Sequence, residues 1–279
     1  MPAKGRPELS SPRSGRVRRA PTASFDRDTL ESALRAGLAA LDLQLPDAAV
    51  GKLLDYLALL AKWNAVYNLT AVREPRAMLI QHLLDSLAIV TPLAERGAAA
   101  RSAASRADAN DSAASPTPAS PSAAGRSPFD CVVDVGSGGG LPGIVLAIVW
   151  PRTRIHLVEP VGKKAAFLRQ CAMELALAHV EIHATHVETL RPGPALAPDL
   201  ILCRAFASLS DFASGVDVLV GPTTIVAAMK GAVPHDEMAA LGGGWSVAEI
   251  LPLAVPLLDA ERHLLLLERR TGGDTPAGR

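Results

Sequence analysis

Asp134-Val135-Gly136-Ser137-Gly138-Gly139-Gly140-Leu141-Pro142-Gly143 follows one apolar run, Phe129–Val135, and opens another, Leu141–Trp150. The pattern predicts a strand, a glycine-rich turn and a helix, in that order. Glycine lets the backbone turn tightly there and leaves no Cβ atom in the way of a ligand. In an open α/β sheet, ligands bind at the carboxyl ends of the strands, which is where this turn falls. A dinucleotide fingerprint, G-x-G-x-x-G, needs a third glycine where this chain has Leu141.

Working outward, Arg154–Val158, Val180–Ala184, Asp199–Cys203 and Thr223–Met229 are short, continuously apolar runs. Runs without a polar face belong to a parallel sheet covered on both sides. Helical stretches separate them near Lys163–Ala178, Leu209–Leu219 and His235–Leu241, and two further strands, Val247–Leu253 and His263–Glu268, follow each other without a helix. The expected fold is α/β: a doubly wound sheet with a terminal antiparallel strand pair. Residues 25–96 read as an N-terminal helical subdomain. Pro46 and Asp47 open a helix with Val50, Leu53, Leu54, Leu57 and Leu60 at helical spacing, and Pro75 opens a second. Between them, Lys62–Thr70 reads as a link rich in aromatic and amide side chains.

Two segments lack the composition of a core. Residues 97–128 hold 12 Ala, 7 Ser, 4 Pro and 2 Gly among 32 positions, which predicts a disordered insertion. Residues 1–24 carry six basic side chains against Glu8, a basic tail with charge +5. The remaining 255 residues carry −5, so the zero net charge is a cancellation. Residues 129–270 form the expected sheet domain and 271–279 a short tail. The 49% hydrophobic content rules out whole-chain disorder. The longest apolar runs are about half a membrane span, so no membrane helix is expected. Cys131, Cys171 and Cys203 form no C-x-x-C pair, which argues against zinc or a disulfide framework and for a reducing, cytoplasmic setting.

The turn offers a site and its neighbours suggest the ligand. Asp134 is a poor neighbour for a pyrophosphate and a good one for a cationic amino or sulfonium group, such as those of S-adenosylmethionine. Glu159, at the end of the second strand, suits the two ribose hydroxyls of such a ligand. Glu188 follows the third strand within reach of an adenine edge. Arg204 closes the fourth strand, where its permanent charge calls for a carboxylate or phosphate. His82 and Asp85, three apart on one helix, are expected to pair with each other. No Ser/His/Asp or Cys/His constellation is evident, and no metal site is assigned. Three readings remain open on these residues alone: an RNA methyltransferase, a methyltransferase for a small molecule or protein, and a non-catalytic cofactor-binding regulator.

The glycine loop through Ile144 resembles that of the bacterial 16S rRNA guanine-N7 methyltransferases, the RsmG or GidB family. The likeness continues in Trp63-Asn64, Tyr67-Asn68-Leu69-Thr70, His82-Leu83-Leu84-Asp85-Ser86, Arg204-Ala205-Phe206-Ala207-Ser208-Leu209, Met229-Lys230-Gly231 and Glu261-Arg262-His263-Leu264. The resemblance implies a Rossmann-like class I methyltransferase sheet and S-adenosylmethionine held around Gly136, Leu141, Val187, Glu188 and Arg204, to which the reading of the turn and of the second strand's end adds Gly138 and Glu159. It implies one guanosine of 16S rRNA as substrate, position 527 in the usual rRNA numbering, presented free or in the small subunit or its assembly intermediate. A monomer without membrane partners is expected. Guanine N7 has a free lone pair, so no catalytic base is expected. For RNA contact, Trp63, Tyr67 and Phe206 are stacking candidates, Asn68 belongs to the amide-rich link, and Lys163, Lys164 and Lys230 are cationic candidates.

Overall fold

The computed structural model describes residues 25–111 and 127–270. Helix α1 (Arg27–Ala40) begins where the Asp26 carboxylate accepts the Thr29 amide and hydroxyl, a standard N-cap. Helix α2 (Asp47–Tyr67) buries Val50, Leu53, Leu54, Leu57 and Leu60, as their spacing predicts. Its end departs from expectation, because Lys62–Tyr67 completes the helix and does not form a link. The chain turns only at Asn68, whose φ of 51° places it in the left-handed region that Asn tolerates. Asn64 secures the following turn by accepting the Thr70 amide and donating to the Val72 carbonyl, both at 2.8 Å.

Glu74 caps α3 (Pro75–Met78), with Pro75 in the first turn as expected. A π-helical turn (Leu79–Leu84), α4 (Asp85–Leu87) and α5 (Val90–Asp111) follow. Helix α5 corrects the reading of 97–128 as wholly disordered, since the helix runs on through residue 97 to Asp111. The composition that denies this stretch a core is rich in alanine, the strongest helix former. Contacts also fasten it: Arg101 donates to the Pro128 carbonyl, and Gly97 passes so close that a Cβ would lie 2.5 Å from that oxygen. Residues 1–24, 112–126 and 271–279, on which the two tails and the rest of the insertion were read, lie outside the described residues. The run Pro75–Ala103 is long and apolar enough to cross a membrane, a property the short apolar runs did not show. Buried positions make up 67% of its most apolar window, so its hydrophobicity serves the core.

The sheet is built from β1 (Cys131–Val135), β2 (Arg154–Val158), β3 (Val180–His183), β4 (Leu200–Arg204), β5 (Ile225–Lys230), β6 (Trp245–Pro252) and β7 (His263–Arg269). Its order is β3-β2-β1-β4-β5-β7-β6, with the first five parallel and the last two added antiparallel. Helices α6 (Gly143–Val149), α7 (Gly162–Glu174), α8 (Leu209–Val216) and α9 (His235–Ala239) connect the strands. The doubly wound sheet with a terminal antiparallel pair is as the apolar runs predict. One face packs α6 and α7 together with the N-terminal helices, so Leu34, Leu53, Leu83, Leu146, Phe167, Leu202 and Leu264 share a single core. The other face packs Phe212 and Val216 of α8 on Val133, Ile201 and Val226.

Candidate active site

Strand β1 ends where the chain must turn away from the sheet. The amides of Gly136 and Ser137 both donate to the Val158 carbonyl at the end of β2, at 2.8 and 3.1 Å. Gly136, Gly138 and Gly140 all have left-handed φ, 71°, 59° and 88°. Gly138 needs that conformation alone, since a Cβ there would meet nothing nearer than the Gly136 carbonyl at 3.7 Å. Gly140 is crowded as well: its Cβ would lie 2.6 Å from Ile144. Buried Glu159 sits beside the loop, accepting the Gly138 amide at 2.8 Å and the Val161 amide at 2.9 Å. Leu141 is buried at the start of the following helical turn. From α2, the Tyr56 hydroxyl donates to the Gly139 carbonyl at 2.5 Å, fully buried.

Asp134 lies behind this loop with none of its surface exposed. One carboxylate oxygen accepts the Gly143 amide at 3.0 Å, and the other has no hydrogen-bond partner among the described residues. Burial pushes the carboxyl up to about 7, against the opposing pull of the Gly143 N–H. A buried, half-satisfied carboxylate costs free energy unless a cation or donor comes to it.

Because Val135 pairs in register with Cys203, Arg204 emerges beside Gly136 at the same end of the sheet. Its guanidinium donates to Asp85 at 2.7 Å and to the Gln81 carbonyl at 3.0 Å, and lies 3.3 Å from His82 Nδ1. The other Asp85 oxygen takes Arg262 Nε at 2.8 Å. His82 and Asp85 therefore converge on Arg204 and do not pair with each other. The π-helical turn carries His82 and leads directly into Asp85, so both reach the same guanidinium, and such turns recur at functional sites. His82 Nε2 meets the Thr70 hydroxyl at 2.9 Å. Burial, reinforced by the Arg204 charge, lowers its pKa to about 4, so the imidazole is neutral near pH 7. Arg204, Arg262, Lys230 and Gly231 line an open cavity of about 360 Å³. Lys230 is not a free cation there, because Glu237 holds it through both oxygens at 2.8 and 3.0 Å.

The other expected residues do not form a single cluster. Phe206 is half-buried, with its ring 3.5 Å from where a Gly136 Cβ would stand. Val187 is buried and Glu188 exposed, both against Gly215 of α8. Trp63, Tyr67 and Lys163 gather on the α2–α7 surface, where Trp63 contacts Tyr67 and Phe167 (ring centroids 5.1 and 5.5 Å) and Lys163 donates to the Tyr67 carbonyl at 3.0 Å. Asn68 accepts Arg73 at 2.7 Å, and Lys164 is half-exposed on α7.

A family model for GidB, the rRNA small subunit methyltransferase G, matches residues 49–100 and 120–265. The chain belongs to this family. A ribosomal RNA small subunit methyltransferase G of Burkholderia ambifaria (strain MC40-6) is 48% identical over 251 residues, spanning 89% of this chain and 96% of that protein. One from Burkholderia thailandensis is 47% identical over 253 residues, spanning 90% and 96%. GidB membership makes the chain a methyltransferase, and both matched segments contain the residues just described. Tyr56, Asp85, Arg262 and Glu237 were not singled out as site residues from sequence. Asp85 and Arg262 do stand inside the stretches that carry the GidB likeness, but nothing local reveals that they meet. Tyr56 sits among the apolar residues of α2 and gives no signal.

Proposed function

We propose that this GidB-family chain transfers the methyl group of S-adenosylmethionine to N7 of one guanosine in small-subunit ribosomal RNA, in the cytoplasm. The observation that carries the cofactor assignment is Asp134: a fully buried carboxylate with one unpartnered oxygen, next to a glycine turn. A ligand whose cationic head lies just beyond the turn offsets that group's charge through space, and a pyrophosphate does not. S-adenosylmethionine supplies the activated methyl group when bound.

The chain's own residues hold and orient. Gly136 and Gly138 keep the approach free of side chains, and Leu141 closes the turn behind them. Glu159 is anchored by two backbone amides, and a carboxylate has about four lone-pair sites, which leaves room for ribose hydroxyls. Val187 and Glu188 line the adenine side. Arg204 is fixed by Asp85, Gln81 and His82, and a guanidinium has five N–H donors, so donors remain for a ligand. Phe206 stands over Gly136, where a base can stack on it. Guanine N7 needs no deprotonation, so no side chain here has to take a proton. Holding two reactants in line contributes roughly 7–11 kcal/mol of barrier reduction.

Methylation of small subunits that lack this modification, followed by cleavage at N7-methylguanine, yields one new cleavage site in small-subunit RNA. Labelling of a protein or small molecule instead, with the RNA untouched, overturns the substrate assignment. The cofactor assignment has a separate readout. S-adenosylmethionine affinity, measured by calorimetry, rises between pH 6 and pH 8 as Asp134 ionises around 7. Asp134→Asn removes that dependence and weakens binding at least tenfold, about 1.4 kcal/mol.

A further inference from the structure

Among the described residues, strand β3 is an edge strand of four residues with no strand on its outer side. Edge strands need protection or fastening. On the face that carries α8, the apolar cluster reaches Val158 of β2 but takes no residue from β3. Glu181 and His183, two apart on β3, share that face, and the register sets Glu181 beside His156 of β2. Three side chains with metal-binding atoms thus stand where a hydrophobic contact would be expected.

Their geometry is specific. His156 Nδ1 lies 3.0 Å from His183 Nε2 and 3.6 Å from one Glu181 oxygen, while the other Glu181 oxygen lies 3.8 Å from His183 Nε2. Bonds of about 2.0–2.2 Å to a tetrahedral zinc ion place neighbouring donors roughly 3.4 Å apart. The observed triangle brackets that spacing, so adjustments of a few tenths of an ångström complete three corners. His156 is buried and fixed, whereas Glu181 is 63% exposed, which leaves the fourth corner open to water. Two imidazoles and one carboxylate suit zinc and its neighbours, not magnesium or calcium.

We propose that His156, Glu181 and His183 form a zinc-class metal site that clips edge strand β3 to β2. The site shares no residue with the glycine loop. Its mechanical effect still reaches the loop's neighbour, because the carbonyl of His183 accepts the Glu159 amide at 3.0 Å.

Zinc titrated into tag-free, full-length protein binds as one equivalent per chain, with a Kd below about 10 μM. Cobalt(II) in its place gives the intense visible absorption of a tetrahedral site. His183→Ala and Glu181→Gln, whose folding is checked by circular dichroism, each weaken binding at least tenfold and lose the cobalt band. Exposed His235→Ala changes neither. Absence of saturable zinc binding by the unmodified protein, or equal affinity in His183→Ala and Glu181→Gln, overturns the proposal and leaves an imidazole–imidazole hydrogen bond joining the strands.

Discussion

The two sides of the candidate site are built by opposite means. The glycine-loop side is local: residues 134–143 turn on their own backbone, and Glu159 reaches them from 21 residues away. The Arg204 side is an ion-pair clasp gathered from distant parts of the chain, with Asp85 separated from Arg204 by 119 residues and from Arg262 by 177. The first side depends on conformation and is read from composition. The second depends on the whole fold being in place before any of its pairs can form. A ligand seated between them therefore meets one wall whose conformation is written mainly in its own segment and one assembled entirely from distant segments.

Breaking the clasp has the largest expected effect. Asp85→Ala leaves Arg204 and Arg262 without their shared carboxylate, and Asp85 is only 4% exposed. Removing one partner of a buried ion pair costs about 3–5 kcal/mol, read as a lowered midpoint in urea unfolding. A loss below about 1 kcal/mol would show that the clasp is as dispensable as a surface pair.

Asp134→Asn tests the loop side with the opposite sign. The folded-state pKa of about 7 stands above the 3.8 usual for an aspartate, so the folded state holds the proton more tightly than the unfolded chain does. The native carboxylate's stability penalty is absent below the unfolded pKa, grows as pH rises toward 7, and is complete above it. The Asn variant without ligand is therefore more stable than the parent at pH 8, by an amount on the order of a few kcal/mol, and the gain vanishes near pH 4. Thermal melts at the two pH values read it.

Tyr56→Phe probes the hydrogen bond that joins α2 to the loop. Losing it leaves the buried Gly139 carbonyl unpaired, at about 1–3 kcal/mol, and cofactor affinity falls with it. Lys163→Ala has the smallest effect. Its bond to the Tyr67 carbonyl is exposed, so stability changes by less than about 0.5 kcal/mol. A measurable loss of RNA binding in that variant, with cofactor binding intact, assigns the α2–α7 surface to the RNA.

The same division explains what was legible in the sequence. The strand segments, the loop and Glu159 follow from apolar runs and glycines that act on their immediate neighbours. Arg204 was legible as a charge needing a partner, but its partners were not, because no local pattern links Asp85 and Arg262 to it. His82 and Asp85 were expected to bond to each other from their spacing on one helix, and a third residue from another element claimed both. Lys230 looked like a free cation until α9 brought Glu237 to it. At 97–111 the composition was read for what it cannot bury, and its alanines' preference for helix prevailed.

The Tyr56 hydroxyl on Gly139, with Leu60 only 3.2 Å from where a Gly139 Cβ would stand, bears on how this chain can diverge or be re-engineered. The N-terminal helices and the sheet are not interchangeable cassettes. A chimera that exchanged the helices of one relative for those of another would inherit a loop shaped for a different neighbour. Substitutions on the two sides of that contact are bound to drift as matched pairs, so new substrate preferences have to arise by changes that leave this seam intact.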